Sequence, residues 1–261
     1  MLKICTPFHS TISRQTHDSI KKLRDAGFKF EWRTAKGCHI VDQRNSMIPR
    51  DGSDMLCLDA DIAFEPHHVK FLIDAAQKDN DIDVIGGLYS CRNKEDTYCA
   101  STNDRWWEGP VTYITKESEF NANILPVNFI GAGFLYVTSR AIDKMDEEVE
   151  DGYFFDYLRF NLQCGIRRSY DDEGFCFNAC DAGIKLFAHT LCVVNHITDN
   201  DGLPDRRIKI KGLTMAEIET SMRNDIAEIE KCAKRVEGCM VMYKEVIKGL
   251  AEQIALKPKY N

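Results

Sequence analysis

The sequence predicts an α/β protein with a mostly parallel central sheet and helices on its faces. Through about residue 80, short apolar runs alternate with helical patterns in the order β-α-β-α-β-α. Turn and capping residues separate these segments, as where Gly27 follows the first helical pattern. This order predicts a largely parallel sheet, and the length of 261 residues suits one domain with an appended element.

The individual elements follow from apolar runs, helical spacing and capping residues along the chain. The predicted strands are residues 3–7, 28–33, 54–58, 84–89, 126–138, 184–188 and 191–194. The predicted helices are residues 16–26, 40–47, a segment that begins at Pro66, 139–145 with Ser139 as N-cap, and 171–181. Between them, residues 90–124 are polar, include Trp106 and Trp107, and are predicted to be a variable insertion.

Composition limits the classes of protein to consider. Of the 261 residues, 44% are hydrophobic and 29% are charged, which is typical of a globular domain. The net charge of −7 gives no general attraction to nucleic acid or to anionic membranes. The sequence contains neither a run of about 18 apolar residues nor a signal-peptide pattern, so we expect no membrane span and a cytoplasmic location. The 11 cysteines form no C-x-x-C pair and are expected to be reduced.

The last quarter of the chain differs from the rest. Residues 199–212 form a basic linker with four cations in six residues, which suits either a phosphate-bearing ligand or a solvated loop. Residues 213–261 begin with a capping box and carry an apolar stripe at alternating spacings of three and four. This pattern predicts a long helix or helix pair. Its stripe either packs on the parent domain or forms a homo-oligomer.

The most informative motif is the apolar run that ends in Asp59-Ala60-Asp61. A buried strand delivers both carboxylates to its carboxyl end, where open α/β sheets bind ligands. Two acids fixed there can hold a divalent cation against a diphosphate. The same spacing recurs in polar, turn-like sequence, so the strand before this copy carries the prediction rather than the triplet itself. The other copies are Asp79/Asp81, Asp81/Asp83 and Asp199/Asp201.

An ordered set of short motifs resembles the GT-A class of nucleotide-sugar glycosyltransferases over about residues 1–198. No single motif is specific, but their order and spacing together are. Asp171-Asp172 departs from the usual Glu-Asp pair, and the resemblance does not extend to residues 199–261. The motifs are Thr6-Pro7, Gln43-Arg44-Asn45, Asp59-Ala60-Asp61, Gly86-Gly87, Gly131-Ala132-Gly133, Asp171-Asp172 and Val194-Asn195-His196.

The resemblance implies a single Rossmann-like catalytic domain over residues 1–198 and a role for each of these motifs. Asp59, Asp61 and His196 would bind the metal ion. Their carboxylate oxygens and imidazole nitrogen suit Mn²⁺ or Mg²⁺. Asp171 and Asp172 would lie beside the acceptor, with Asp172 as the base of an inverting transfer. Each residue also has a plain structural alternative, such as helix capping for the acid pair. The donor-binding residues that the resemblance implies are Thr6, Pro7, Arg44, Asn45, Asp59, Gly131 and Gly133.

These observations predict a metal-dependent glycosyltransferase. The expected donor is a nucleoside diphosphate sugar, in particular a UDP-sugar, and the acceptor is a hydroxyl of a glycan, small molecule, protein or modified DNA. One alternative is a phage-type transferase that glycosylates hydroxymethylated DNA bases, for which the overall acidity is unfavourable. Another alternative is a non-catalytic nucleotide-binding scaffold that associates through its helical tail.

Overall fold

The computed structural model describes residues 1–91, 94–103, 113–115, 122–149, 152–162 and 165–197. Trp106 and Trp107, the basic linker 199–212 and the helical tail 213–261 lie outside the described residues, so the predictions for them stay predictions. The chain separates into two units, Met1–Leu203 and Pro204–Asn261, and every described residue lies in the first. Among the described helices, none combines the length and apolar character needed to cross a membrane.

A seven-stranded sheet forms the centre of the described unit. Five of its strands run parallel to one another, while the strands of residues 134–137 and 124–127 run antiparallel to their neighbours. The predicted α/β class with a mostly parallel sheet is therefore confirmed. In spatial order the strands are β2 (Phe30–Lys36), β1 (Leu2–Phe8), β3 (Asp54–Leu58), β11 (Phe134–Val137), β5 (Val84–Leu88), β14 (Leu186–Val193) and β9 (Ile124–Val127).

Four antiparallel pairs of shorter strands lie outside this sheet. None of them was predicted as a pair, because strands of two to five residues show little or no alternating pattern. The pairs are β4 (Ile62–Ala63) with β15 (Asn195–His196), β6 (Ser90–Cys91) with β7 (Lys94–Tyr98), β8 (Ala100–Ser101) with β10 (Phe129–Ile130), and β12 (Arg159–Leu162) with β13 (Gly165–Arg168).

Five helices connect the strands within the described residues, and two of them have the predicted bounds 40–47 and 171–181. The prediction that Ser139 caps the helix of residues 139–148 is wrong by one residue. Thr138 is the N-cap, and its hydroxyl accepts a hydrogen bond of 3.2 Å from the amide of Ala141. The helices are α1 (Arg14–Asp25), α2 (Ile40–Met47), α3 (Pro66–Lys78), α4 (Ser139–Glu148) and α5 (Asp171–Asp181).

The helices cover both faces of the sheet, and each face has its own apolar core. Side chains of α1 and α3 pack in one core, and side chains of α4 and α5 pack in the other. Strand β3 is buried on both faces because its residues alternate between them: Met55 and Cys57 face one core, Leu56 and Leu58 the other. This continuous burial explains the uninterrupted apolar sequence before Asp59.

Gly174, in the first turns of α5, fixes how closely this helix approaches the segment before it. A Cβ at position 174 would overlap the backbone of Asp156, whose amide nitrogen would be only 2.9 Å away. Helix propensity alone favours alanine over glycine by about 1 kcal/mol. The overlap with rigid backbone outweighs that preference.

We expect Gly174→Ala to lower the free energy of unfolding by more than about 2 kcal/mol, as overpacking against backbone does. The measurement is urea unfolding followed by circular dichroism. Cys180→Ala, at an exposed position of the same helix, is the matched control and should change stability by less than about 0.5 kcal/mol. A Gly174→Ala protein as stable as the native chain would contradict this account of the packing.

Candidate functional site

Asp59 lies at the carboxyl end of β3, at the edge where the other parallel strands also end. Its amide donates a hydrogen bond of 2.9 Å to the carbonyl of Gly133, which joins the end of β3 to the segment leading into β11. Its Oδ1 accepts a hydrogen bond of 2.6 Å from the guanidinium of Arg44. The backbone and the side chain of Asp59 are therefore both held in place.

Arg44, on α2, is the link between the two acidic motifs. Its side chain is only 4% exposed and contacts two carboxylates, with Nη2 2.6 Å from Asp59 and Nε 2.7 Å from Asp171. Nη1 donates a 3.2 Å hydrogen bond to the carbonyl of Ala132, and the guanidinium lies over the ring of Phe155. Burial lowers the pKa of Arg44, but Asp59 and Asp171 raise it by more, so the group stays charged.

Asp61 faces His196 across the same edge. The Oδ2 of Asp61 is 3.5 Å from the Nε2 of His196, and both side chains are largely buried. The Nδ1 of His196 is 2.8 Å from the carbonyl oxygen of Ser90, which can only accept, so Nδ1 carries the hydrogen. In the neutral ring, Nε2 then points a lone pair towards a carboxylate. Two acceptors so placed are stabilised by a proton on Nε2 or by a cation that both can bind.

Tyr89 is a residue of this site that the sequence analysis missed, because it was predicted to be the last residue of a strand. It directly follows β5 and is 5% exposed, and its hydroxyl accepts a hydrogen bond of 2.9 Å from the amide of Gly133. Its ring meets the ring of His196 edge-on at 5.6 Å. Its place after β5, which matches that of Asp59 after β3, was the available signal.

The glycine pair lets this tyrosine pack against the acidic strand end. A Cβ at Gly133 would lie 2.8 Å from the Tyr89 hydroxyl and 2.9 Å from Oδ2 of Asp59. A Cβ at Gly131 would overlap the same hydroxyl. Tight packing inside the protein thus accounts for both glycines, and their predicted contact with a donor stays a prediction.

The acid pair Asp171-Asp172 opens α5, as predicted. Asp171 binds Arg44, whereas Asp172 accepts a hydrogen bond of 2.9 Å from the amide of Glu173. Burial raises the pKa of Asp172 to about 7, and the charge of Asp171 adds to this shift while Arg44 opposes it. Asp172 therefore changes its protonation state near neutral pH.

The remaining predicted donor-binding residues have protein partners in this structure. Thr6 is buried, and its hydroxyl accepts a 3.0 Å hydrogen bond from the indole of Trp32. Pro7 follows it near the carboxyl end of β1, at the same edge of the sheet. Asn45 makes two hydrogen bonds to the backbone of Phe155, of 2.8 and 3.0 Å. Asn45 thereby fixes the segment that precedes α5, and direct contact of these residues with a nucleotide stays a prediction.

The groups named here comprise four carboxyls and one guanidinium, so the site carries net negative charge when the acids ionise. Such a site attracts a divalent cation and repels a bare diphosphate. Within the described ranges, no cluster of three or more His, Cys, Asp or Glu side chains is arranged as a metal site. A cation at Asp61 and His196 would therefore need ligands from water and from a bound phosphate, as Mg²⁺ sites commonly do.

Comparisons with known proteins add little. No protein-family model matches the chain, and no curated protein matches it. Among solved structures, the chain is similar to the crystal structure of A197 from STIV, with 17% sequence identity and a TM-score of 0.47. The likeness covers 72% of this chain and 81% of that one.

We expect Arg44→Met to destabilise the fold by about 3 kcal/mol at pH 8, because it leaves the partly buried carboxylates of Asp59 and Asp171 without their cation. The loss should shrink at pH 5, because burial raises the pKa of Asp59, so without Arg44 this carboxyl takes up a proton more readily in the folded state. Urea unfolding at both pH values measures this. Arg14→Met is the matched control, since Arg14 is 92% exposed, and it should change stability by less than about 0.5 kcal/mol. Equal losses for the two variants would contradict the bridging role of Arg44.

Proposed function

We propose that this protein is a metal-dependent glycosyltransferase that moves a sugar from a nucleoside diphosphate donor, most simply a UDP-sugar, to a hydroxyl acceptor. The observation that carries the proposal is the pair Asp61–His196 beside Asp59 at the carboxyl edge of a mostly parallel sheet. This edge is where α/β proteins bind nucleotides. The donor set of carboxylate and imidazole fits Mn²⁺, and with water and phosphate also Mg²⁺.

The residues at the strand ends would bind different parts of the complex of donor and cation. Asp61 and His196 would hold the cation, and the hydrogen bond from Nδ1 to the Ser90 carbonyl leaves Nε2 of His196, which faces Asp61, as the coordinating nitrogen of the neutral ring. Asp59, with Oδ1 bound to Arg44, offers Oδ2 to the donor or to the cation. When bound, the cation supplies Lewis-acid stabilisation of the negative charge that develops on the leaving diphosphate.

Asp172 is suited to remove the proton from the acceptor hydroxyl. A general base works best when its pKa lies near the working pH, and burial brings the pKa of Asp172 to about 7. Arg44 contacts Asp171 rather than Asp172, and among the described residues Asp172 makes no ion pair of its own. Direct attack by the deprotonated hydroxyl inverts the anomeric configuration of the transferred sugar.

The surroundings of the acid pair favour a neutral acceptor. Tyr157 and Tyr170 are 51% and 70% exposed beside α5 and offer amphipathic faces suited to a sugar ring. The nearby carboxylates Asp42 and Asp156 are exposed, so a phosphate backbone would be repelled. This charge pattern favours a glycan or small-molecule hydroxyl over modified DNA.

For the metal, we expect UDP to bind more tightly with Mn²⁺ than with a chelator. Asp61→Ala should lower the affinity for UDP in the presence of Mn²⁺ by more than about tenfold, because it deletes a direct ligand of the cation. Isothermal titration calorimetry with UDP measures both effects. Asp81→Ala is the matched control, since it alters the same Asp-x-Asp spacing in a turn where the amide of Asp81 binds Asp79. Equal UDP affinity with Mn²⁺ and with chelator would end the metal-dependent proposal.

For the base, we expect Asp172→Asn to lower the rate of UDP release from UDP-sugars by about 10²–10⁴-fold, with water as the acceptor. UDP affinity should stay close to that of the native protein. The native rate should fall as the pH drops below about 7, because protonated Asp172 accepts no proton. The variant should lack this dependence.

Asp42→Asn is the control for the base, because it removes one exposed carboxylate on α2 and should keep the native rate and pH profile. The readout is UDP release with Mn²⁺ across pH 5–9. A rate for Asp172→Asn within a few-fold of the native value would refute the assignment of the base.

A further inference from the structure

Two cysteines lie in near contact beside the candidate site. Cys91 ends β6, Cys99 follows β7 directly, and their sulfur atoms are 3.3 Å apart. Neither cysteine is in a disulfide, and both are partly exposed. A disulfide has a bond length of about 2.05 Å, so the two sulfurs need to approach by only about 1.2 Å.

The hairpin holds these thiols together through its backbone. The amide of Cys99 donates a hydrogen bond of 3.0 Å to the carbonyl of Tyr89, two residues before Cys91. Ser90 pairs with Tyr98 across the two strands, with a register irregularity before Cys91. The thiols therefore meet through the fold of the hairpin rather than through flexible side chains alone.

Both cysteines are coupled to the groups proposed to bind the cation. Cys91 is next to Ser90, whose carbonyl fixes the ring of His196 at 2.8 Å. The carbonyl of Cys99 accepts a hydrogen bond of 2.7 Å from the amide of Gly131. A Cβ at Gly131 would lie 2.9 Å from the Cβ of Cys99, so little space remains for either segment to move independently. A shift of the hairpin would therefore be transmitted to His196.

We propose that Cys91 and Cys99 form a reversible disulfide, and that closing it moves the Ser90 carbonyl and weakens cation binding at Asp61 and His196. The disulfide itself stands on the contact between the thiols, whereas the effect on cation binding rests on the proposed function. The site thereby responds to the redox state of its surroundings.

The oxidant is a small-molecule disulfide such as glutathione disulfide. One cysteine thiolate attacks it, forms a mixed disulfide and releases one glutathione thiolate. The second cysteine thiolate then attacks the protein sulfur of the mixed disulfide and releases the second glutathione. The protein loses two electrons and two protons, and glutathione disulfide becomes two glutathione thiols. Excess dithiol reverses the sequence.

The other paired cysteines provide an internal comparison. Cys5 and Cys57 are directly opposite each other on β1 and β3, yet both are buried. Burial raises the pKa of each thiol to about 12. The hydrogen bond from Cys91 and burial raise the pKa of Cys99 as well. The difference between the two pairs is therefore access: the pair Cys91 and Cys99 is partly exposed, whereas the buried pair is shielded from glutathione disulfide. We expect this pair to stay reduced under conditions that oxidise Cys91 and Cys99.

The first test treats the full chain with millimolar glutathione disulfide at pH 8, followed by peptide mapping under non-reducing conditions. The expected product links Cys91 to Cys99 with a mass 2 Da below that of the reduced peptides, and dithiothreitol reverses it. Cys91→Ser and Cys99→Ser should each abolish the link. Failure of the native protein to form it, or a preferred link between other cysteines, overturns the disulfide proposal.

The second test measures the effect on the site. Oxidation should lower Mn²⁺-dependent UDP affinity by about 10- to 100-fold, as loss of a supporting group around a metal ligand does. Oxidised Cys91→Ser should keep the affinity of reduced protein, which controls for glutathione on exposed Cys38 and Cys180. Unchanged affinity in the linked native protein overturns the coupling.

A separate readout distinguishes this failure from failure of the proposed function. In protein labelled with ¹⁵N-histidine, the ring signals of His196, assigned with His196→Gln, should shift on oxidation whether or not UDP binds. If reduced protein binds no UDP with Mn²⁺, the proposed function fails, and shifted His196 signals still support the coupling. Unshifted His196 signals in the linked protein overturn it.

Discussion

The buried guanidinium of Arg44 is the interaction on which the acidic site depends. It contacts Asp59 at the end of β3 and Asp171 at the start of α5. Asp171 is 127 residues from Arg44 along the chain. Removing a charged group from water is costly, and only close contact with opposite charge offsets that cost. The planar guanidinium reaches both carboxylates at once and also lies over Phe155, which a lysine ammonium could not reproduce.

The antiparallel strand β11 gives the site its second constraint. Because β11 lies between β3 and β5 and runs opposite to both, the loop that enters it reaches the edge where they end. Gly133 in that loop accepts from Asp59 and donates to Tyr89, so it connects the ends of the two neighbouring parallel strands. The acids and the tyrosine are thereby positioned by backbone hydrogen bonds as well as by side chains.

Local sequence patterns predicted the elements better than their arrangement. The bounds of α2, β3 and α5 could be read from apolar runs and acidic helix starts, since both are properties of neighbouring residues. The direction of β11 could not, because an apolar run records burial but not strand direction. The burial of Arg44 also escaped prediction, since its partners are distant in sequence. Asp59, Asp61 and His196 were predicted as a group and lie at one edge of the sheet.

The irregular end of β14 has a consequence for how this protein can vary. The pairing of β14 with β5 shifts register between His189 and Val193, and the chain then leaves the main sheet so that His196 pairs with Ile62 on β4. Successive side chains on a strand face opposite sides, so losing or gaining one residue in this stretch would turn His196 away from Asp61. The number of residues between the sheet and His196 is therefore more restricted than their identity. Homologues that keep this arrangement should tolerate substitutions at Thr190 and Leu191 far better than insertions or deletions there.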